Sequence, residues 1–93
     1  MRWMMNIQYK LDRELIRVIE HKDFNLLLGK INNGTLKESD KGFYILFTPG
    51  TGKRKDRYCI IKVQEEVPIM YRELLSLKDT LDTLKVIVGK AYT

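Results

Sequence analysis

The 93 residues make one domain, 1–93, with room for a modest core but not for two. With 44% apolar and 31% charged residues the chain is globular in type, and no apolar run approaches the roughly 20 residues that cross a bilayer. A formal net charge of +5 favours an anionic partner, while one Cys and one His exclude an internal disulfide and a cysteine zinc cluster.

In chain order, Met1–Ile7 lacks the apolar stretch of a secretory signal, so a cytoplasmic location without a membrane is expected. Ile7, Leu11, Leu15, Val18 and Ile19 recur at helical spacing with charged residues between them, which predicts an N-terminal amphipathic helix of about four turns. Asp23 reads as the N-cap of a short second helix carrying Phe24, Leu27, Leu28 and Ile31 on one face and stopping at Asn32-Asn33-Gly34. The same stretch also reads as a strand turned by Asn33-Gly34 into Thr35–Lys37.

Asp40-Lys41-Gly42 marks a turn. Phe43–Thr48 and Tyr58–Val63 are aromatic and β-branched enough for strands, separated by Pro49, Gly50 and Gly52, so an antiparallel hairpin is predicted. In the simplest register, Phe43, Ile45, Phe47, Cys59, Ile61 and Val63 face the helices, and Tyr44, Leu46, Tyr58, Ile60 and Lys62 share the other face. Pro68 then opens a long C-terminal amphipathic helix, about Ile69 to Val88, ended by Gly89. Its residues Met70, Leu74, Leu77, Leu81, Leu84 and Val88 form a heptad stripe. The fold class expected is α+β: one or two N-terminal helices, an antiparallel hairpin or small sheet, and a long last helix.

The positive charge is local. Between Lys41 and Lys62 six bases face one acid, an excess equal to that of the whole chain. Its densest part, Gly52-Lys53-Arg54-Lys55-Asp56-Arg57, joins the two predicted strands. Lys53, Arg54, Lys55 and Arg57, with Lys62, are candidate phosphate contacts, and Tyr44 and Tyr58 candidate base-stacking residues. Four phosphate contacts give a slope of log K against log[salt] of about −3.6 on duplex DNA or −2.8 on single strands.

Other chemistry finds little footing. Thr48–Arg54 lacks the first Gly of a phosphate-binding P-loop, and Arg54 stands where its Ser or Thr should be. Cys59 reads as a core thiol and His21 as a surface residue near a helix end. No metal ligand set, cofactor motif or catalytic triad is visible, so a non-enzymatic protein without cofactor is expected. The helix–helix–hairpin order resembles that of winged-helix regulators, whose hairpin wing often carries Lys and Arg. Two helices at most precede the hairpin where that family has three. The size and the lack of motifs also suit a protein encoded by a phage or mobile element.

Two functional readings therefore remain open. One is a small regulatory or accessory protein that binds DNA or RNA through the cationic loop. The other is an interaction module or inhibitor docking an acidic surface of a partner protein. A homodimer through a seam of Leu74, Leu77, Leu81 and Leu84 is a further expectation, set against packing of that helix inside its own monomer.

Overall fold

The chain's inner strands must be covered on both faces, and that requirement sets the architecture. The computed structural model describes residues 8–11 and 14–91. Along them run β1 (Gln8–Leu11), β2 (Glu14–Ile19), α1 (His21–Asn33), β3 (Gly42–Thr48), β4 (Arg57–Val63), β5 (Ile69–Leu74) and α2 (Leu77–Ala91), with a 3₁₀ turn at Glu38–Asp40. The strands form one mixed sheet in the order β1-β2-β3-β4-β5. Only β2 and β3 are parallel; every other neighbouring pair is antiparallel. The fold is α+β with a helix on each face of the sheet.

A parallel pair needs a crossover, and α1 supplies it between β2 and β3. It ends in a Schellman turn at Gly34 (φ 70°), where the Gly34 and Thr35 amides donate to the Ile31 and Lys30 carbonyls. The expected Asn32-Asn33-Gly34 stop holds, and the strand alternative does not. The helix starts earlier than expected, with Glu20 at the N-cap and Asp23 already in its first turn.

α1 covers the face carrying Ile19, Tyr44, Leu46, Ile61 and Val63, onto which Leu27 packs. α2 covers the opposite face, where Leu84 and Val88 meet Ile16, Val18, Phe43, Ile45 and Ile60. The edge of the α1 face is pinned by polar contacts. Arg17 donates to the Tyr44 hydroxyl (2.9 Å) and the Ser39 carbonyl (2.8 Å), and Tyr44 donates to the Asp40 carbonyl (2.7 Å). The Asp40 carboxylate accepts the Lys37 amide, which holds it below the usual carboxylate range.

Three expectations are corrected. The stretch read as a first helix is the hairpin β1–β2, because Ile16 and Val18 face α2 while Ile19 faces α1. A strand buried on both faces shows no clean alternation and mimics a helical repeat. Ile7, Asp12, Arg13 and the segment tested for a signal lie outside the described residues. The long last helix is split: Ile69–Leu74 pair with β4 as an edge strand, and α2 starts only after Ser76. Ser76 caps it, its hydroxyl accepting the Asp79 amide at 3.1 Å. The hairpin register is shifted by one, since Tyr44 pairs with Ile61 and Phe47 with Tyr58.

Among the described residues no helix is long and apolar enough to cross a membrane. Leu84 is fully buried between α2 and the sheet, whereas Leu26 lies on the outer side of α1, 66% exposed. Leu84→Ala is expected to cost about 2–5 kcal/mol in urea unfolding. Leu26→Ala should stay within about 0.5 kcal/mol. Equal, small effects would contradict the placement of α2.

Candidate nucleic-acid interface

The antiparallel β3–β4 pair ends at Thr48↔Arg57, and the eight residues between them form the cationic loop. Its shape is built from within. The Asp56 carboxylate accepts the Gly50 amide at 2.7 Å, and the Arg54 amide donates to the Thr51 carbonyl at 2.9 Å. The chain doubles back so closely that a Cβ on Gly50 would lie 2.2 Å from the Arg54 carbonyl oxygen. Glycine is therefore required there by space. At the loop's base His21 Nε2 and Thr48 Oγ1 are 2.7 Å apart, tying the start of α1 to the end of β3.

The loop's lone acid is thus occupied with backbone, leaving the cations to their surroundings. Lys53, Arg54 and Lys55 are exposed and have no carboxylate partner among the described residues. Arg57 is half-buried, its Nη1 lying 3.7 Å from Glu73 Oε2, and its Nε is buried without a hydrogen-bond partner. Arg54, Lys55 and Arg57 line a cleft of about 280 Å³ with Leu75, which is 62% exposed. Leu75 lies just ahead of α2, so the positive end of that helix dipole sits beside the same cleft.

The other predicted site residues scatter. Lys62 lies on the α2 face, its ammonium 5.5 Å from the Phe43 ring centre. Lys41, at the far end of the sheet, is held at 2.7 Å by both Glu38 and Glu65; these bonds raise its pKa and lower that of Glu65. Tyr44 is 3% exposed under α1. Tyr58 packs on the α2 face against Phe47, ring centres 5.3 Å apart. Burial pushes both phenols up. The expected shared tyrosine face is overturned by the register: Tyr44 is buried on the α1 face, and Tyr58 lies half-buried on the α2 face.

The heptad stripe fares likewise. Leu74 belongs to β5, while Leu77, Leu81 and Leu84 pack on the chain's own core. Leu74 is therefore not a rung of the helix that carries the other three. Leu75 is the cleft residue that sequence reasoning missed as part of the site. It stands one residue ahead of Ser76, and the Ser76-x-x-Asp79 spacing was the available sign that a helix begins there.

Among the described residues no group of three His, Cys, Asp or Glu side chains is placed to hold a metal ion. Cys59 is half-buried beside Glu73, and burial first, then that carboxylate, pushes its thiol up. The arrangement as a whole offers three outward cations on a braced loop and a fourth, partly engaged, at its foot. It can neutralise closely spaced negative charges. Compared with known proteins, the chain matches no family model, no curated protein and no solved structure.

Two outcomes follow from this geometry. Gly50→Ala keeps every charge but forces the loop open, so trypsin should cut at Lys53–Lys55 several-fold faster than in wild type; an unchanged rate would show the loop is not braced. Because a raised pKa means less thiolate, Cys59 should react with iodoacetamide more slowly than a cysteine peptide at pH about 8. Glu73→Gln, which removes one cause of that rise, should speed it.

Proposed function

We propose that this is a small non-enzymatic nucleic-acid-binding protein, regulatory or accessory in role, whose β3–β4 loop contacts phosphates. One observation carries the reading: Lys53, Arg54 and Lys55 project from a braced loop with no carboxylate partner among the described residues. Most other bases of the 41–62 stretch are engaged within the molecule, so the local excess of charge is concentrated at the loop. A fixed array of cations loses less freedom on meeting a phosphate chain than a floppy one. Arg54 adds a planar fork suited to phosphate oxygens.

The alternative partner is an acidic protein surface. It is favoured by Leu75, an exposed apolar residue lining the same cleft as Arg54, Lys55 and Arg57, which suits a protein contact with apolar and charged parts. Salt dependence and strand type separate the two.

Arg57 already faces Glu73, so the loop's phosphate contacts number three rather than four. They should contribute about −2.7 on duplex DNA or −2.1 on single strands to the slope of log K against log[salt] for fluorescent oligonucleotides. That share alone would weaken binding roughly 20- to 40-fold on a roughly fourfold rise in salt. The triple variant Lys53→Ala, Arg54→Ala, Lys55→Ala should bind more weakly and lose that share of the slope. Absence of oligonucleotide binding at low salt rejects the proposal in favour of the acidic-protein partner.

A further inference from the structure

Strand β5 departs from regular pairing. Cys59 pairs with Glu73 and Ile61 with Met70, so Tyr71 and Arg72 together oppose the single residue Ile60. An extra residue of this kind is a β-bulge, a device that re-aims side chains and is common beside functional sites. Here it brings Tyr71 and Arg72 onto the same side of the strand. Both line a cleft of about 450 Å³ between β5 and α2, together with Val86 and Ile87. A second cleft of about 500 Å³ shares Tyr71 and Ile87 and continues to Phe43 and Lys62. The two make one groove along the outer edge of the sheet.

Its chemistry is aromatic, apolar and cationic. Tyr71 is 39% exposed at the centre, tilted against Phe43 with ring centres 6.2 Å apart. Arg72 is exposed on one side and has no carboxylate partner among the described residues. Lys62 stands on the other, over the Phe43 ring. The groove's carboxylate, Asp82, is held by Lys78 at 3.2 Å. Tyr71 lies four residues before Leu75 of the loop cleft, about 13 Å along an extended strand. Both clefts lie along the exposed edge strand, at a span that a few nucleotides bridge.

We propose that this groove takes an unpaired base of single-stranded nucleic acid stacked on Tyr71, with flanking phosphates on Arg72 and Lys62. The inference rests on the phosphate-binding reading of the loop and gives it a strand type. A duplex hides its base faces and cannot fill an aromatic groove, whereas a single strand presents every base to such a ring. An extended peptide is the competing occupant. The bulge weighs against it, since it interrupts the regular ladder that an added strand requires. So does the surplus of cations over unpaired acids.

The test measures anisotropy of short labelled single-stranded DNA and RNA and of the matching duplex, against wild type, Tyr71→Phe, Tyr71→Leu and Arg72→Gln. Wild type should favour a single strand. Tyr71→Leu keeps bulk without an aromatic face, so it should weaken single-strand binding roughly 5- to 150-fold, the equivalent of about 1–3 kcal/mol per stacked base. Duplex binding and the thermal midpoint should not move, and Tyr71→Phe should bind like wild type. Arg72→Gln should make the single-strand salt slope shallower by about 0.7. A 2-aminopurine base in the single strand should change its fluorescence on binding wild type but not Tyr71→Leu.

If Tyr71→Leu binds single strands as wild type does, the groove proposal falls while the loop reading stands; binding of a labelled acidic extended peptide by wild type but not by Tyr71→Leu would then assign the groove to a protein. Equal losses on single strand and duplex would mark Tyr71 as structural and also overturn it. Absence of binding to any oligonucleotide defeats both readings together.

Discussion

The pair Ile45 and Ile60, opposite each other on the two central strands, is fully buried, and so is Ile61 on the reverse side of β4. A sheet whose middle is apolar on both faces cannot rest on a single helix. It needs one on each side, and the chain supplies them from separate places: α1 inside the crossover, α2 at the end of the described chain. Everything else in the fold follows from that need. The crossover makes β2 and β3 parallel, the two hairpin steps carry the chain outward to β5, and α2 must then fold back across the sheet.

The same arrangement sorts the charges. Ile19 pairs with Leu46, Thr48 with Arg57 and Tyr58 with Leu74, so β2, β3 and β5 end where β4 begins. Both helices start at that end of the sheet, and the loop of Lys53, Arg54 and Lys55 leaves it there. At the opposite end Lys41 is enclosed by Glu38 and Glu65, and Lys30 lies 3.5 Å from Asp40. The unpaired loop cations therefore stand at one end of the sheet, while Lys41 and Lys30 at the other are matched by carboxylates. On the proposed reading it is the loop end that an anionic partner meets.

How much of this could be read in the residues varied with how local the cause was. The β3–β4 hairpin, the charged loop and the Gly34 stop were legible, because each is written in consecutive residues by turn chemistry and strand propensity. The N-terminal strands were not. Leu11, Leu15, Val18 and Ile19 keep helical spacing, and only the neighbours β3 and α1 reveal that Ile16, Val18 and Ile19 are buried on opposite sides of a strand. The last helix was overextended for the same reason, since Met70 and Leu74 continue its period; Ser76 was the overlooked punctuation. Register was beyond reach, as a slip of one residue exchanges the faces of Tyr44 and Leu46 with those of Phe43 and Ile45. The groove at Tyr71 depends on a bulge that exists only in the pairing of two strands. Its residues carried no sign in the sequence.

The strand order in space is also the order along the chain, and it bears on how a newly made copy matures. As the polypeptide emerges during synthesis, each strand finds its predecessor already beside it, and α1 can settle onto its face as soon as β3 has joined β2. The face holding Ile16, Val18, Ile45 and Ile60 has no cover until Leu84 and Val88, among the final described residues, leave the ribosome. A nascent chain stalled before α2 would present that greasy surface to solvent or to its neighbours. Completion of the last helix is accordingly the moment at which the protein stops being sticky.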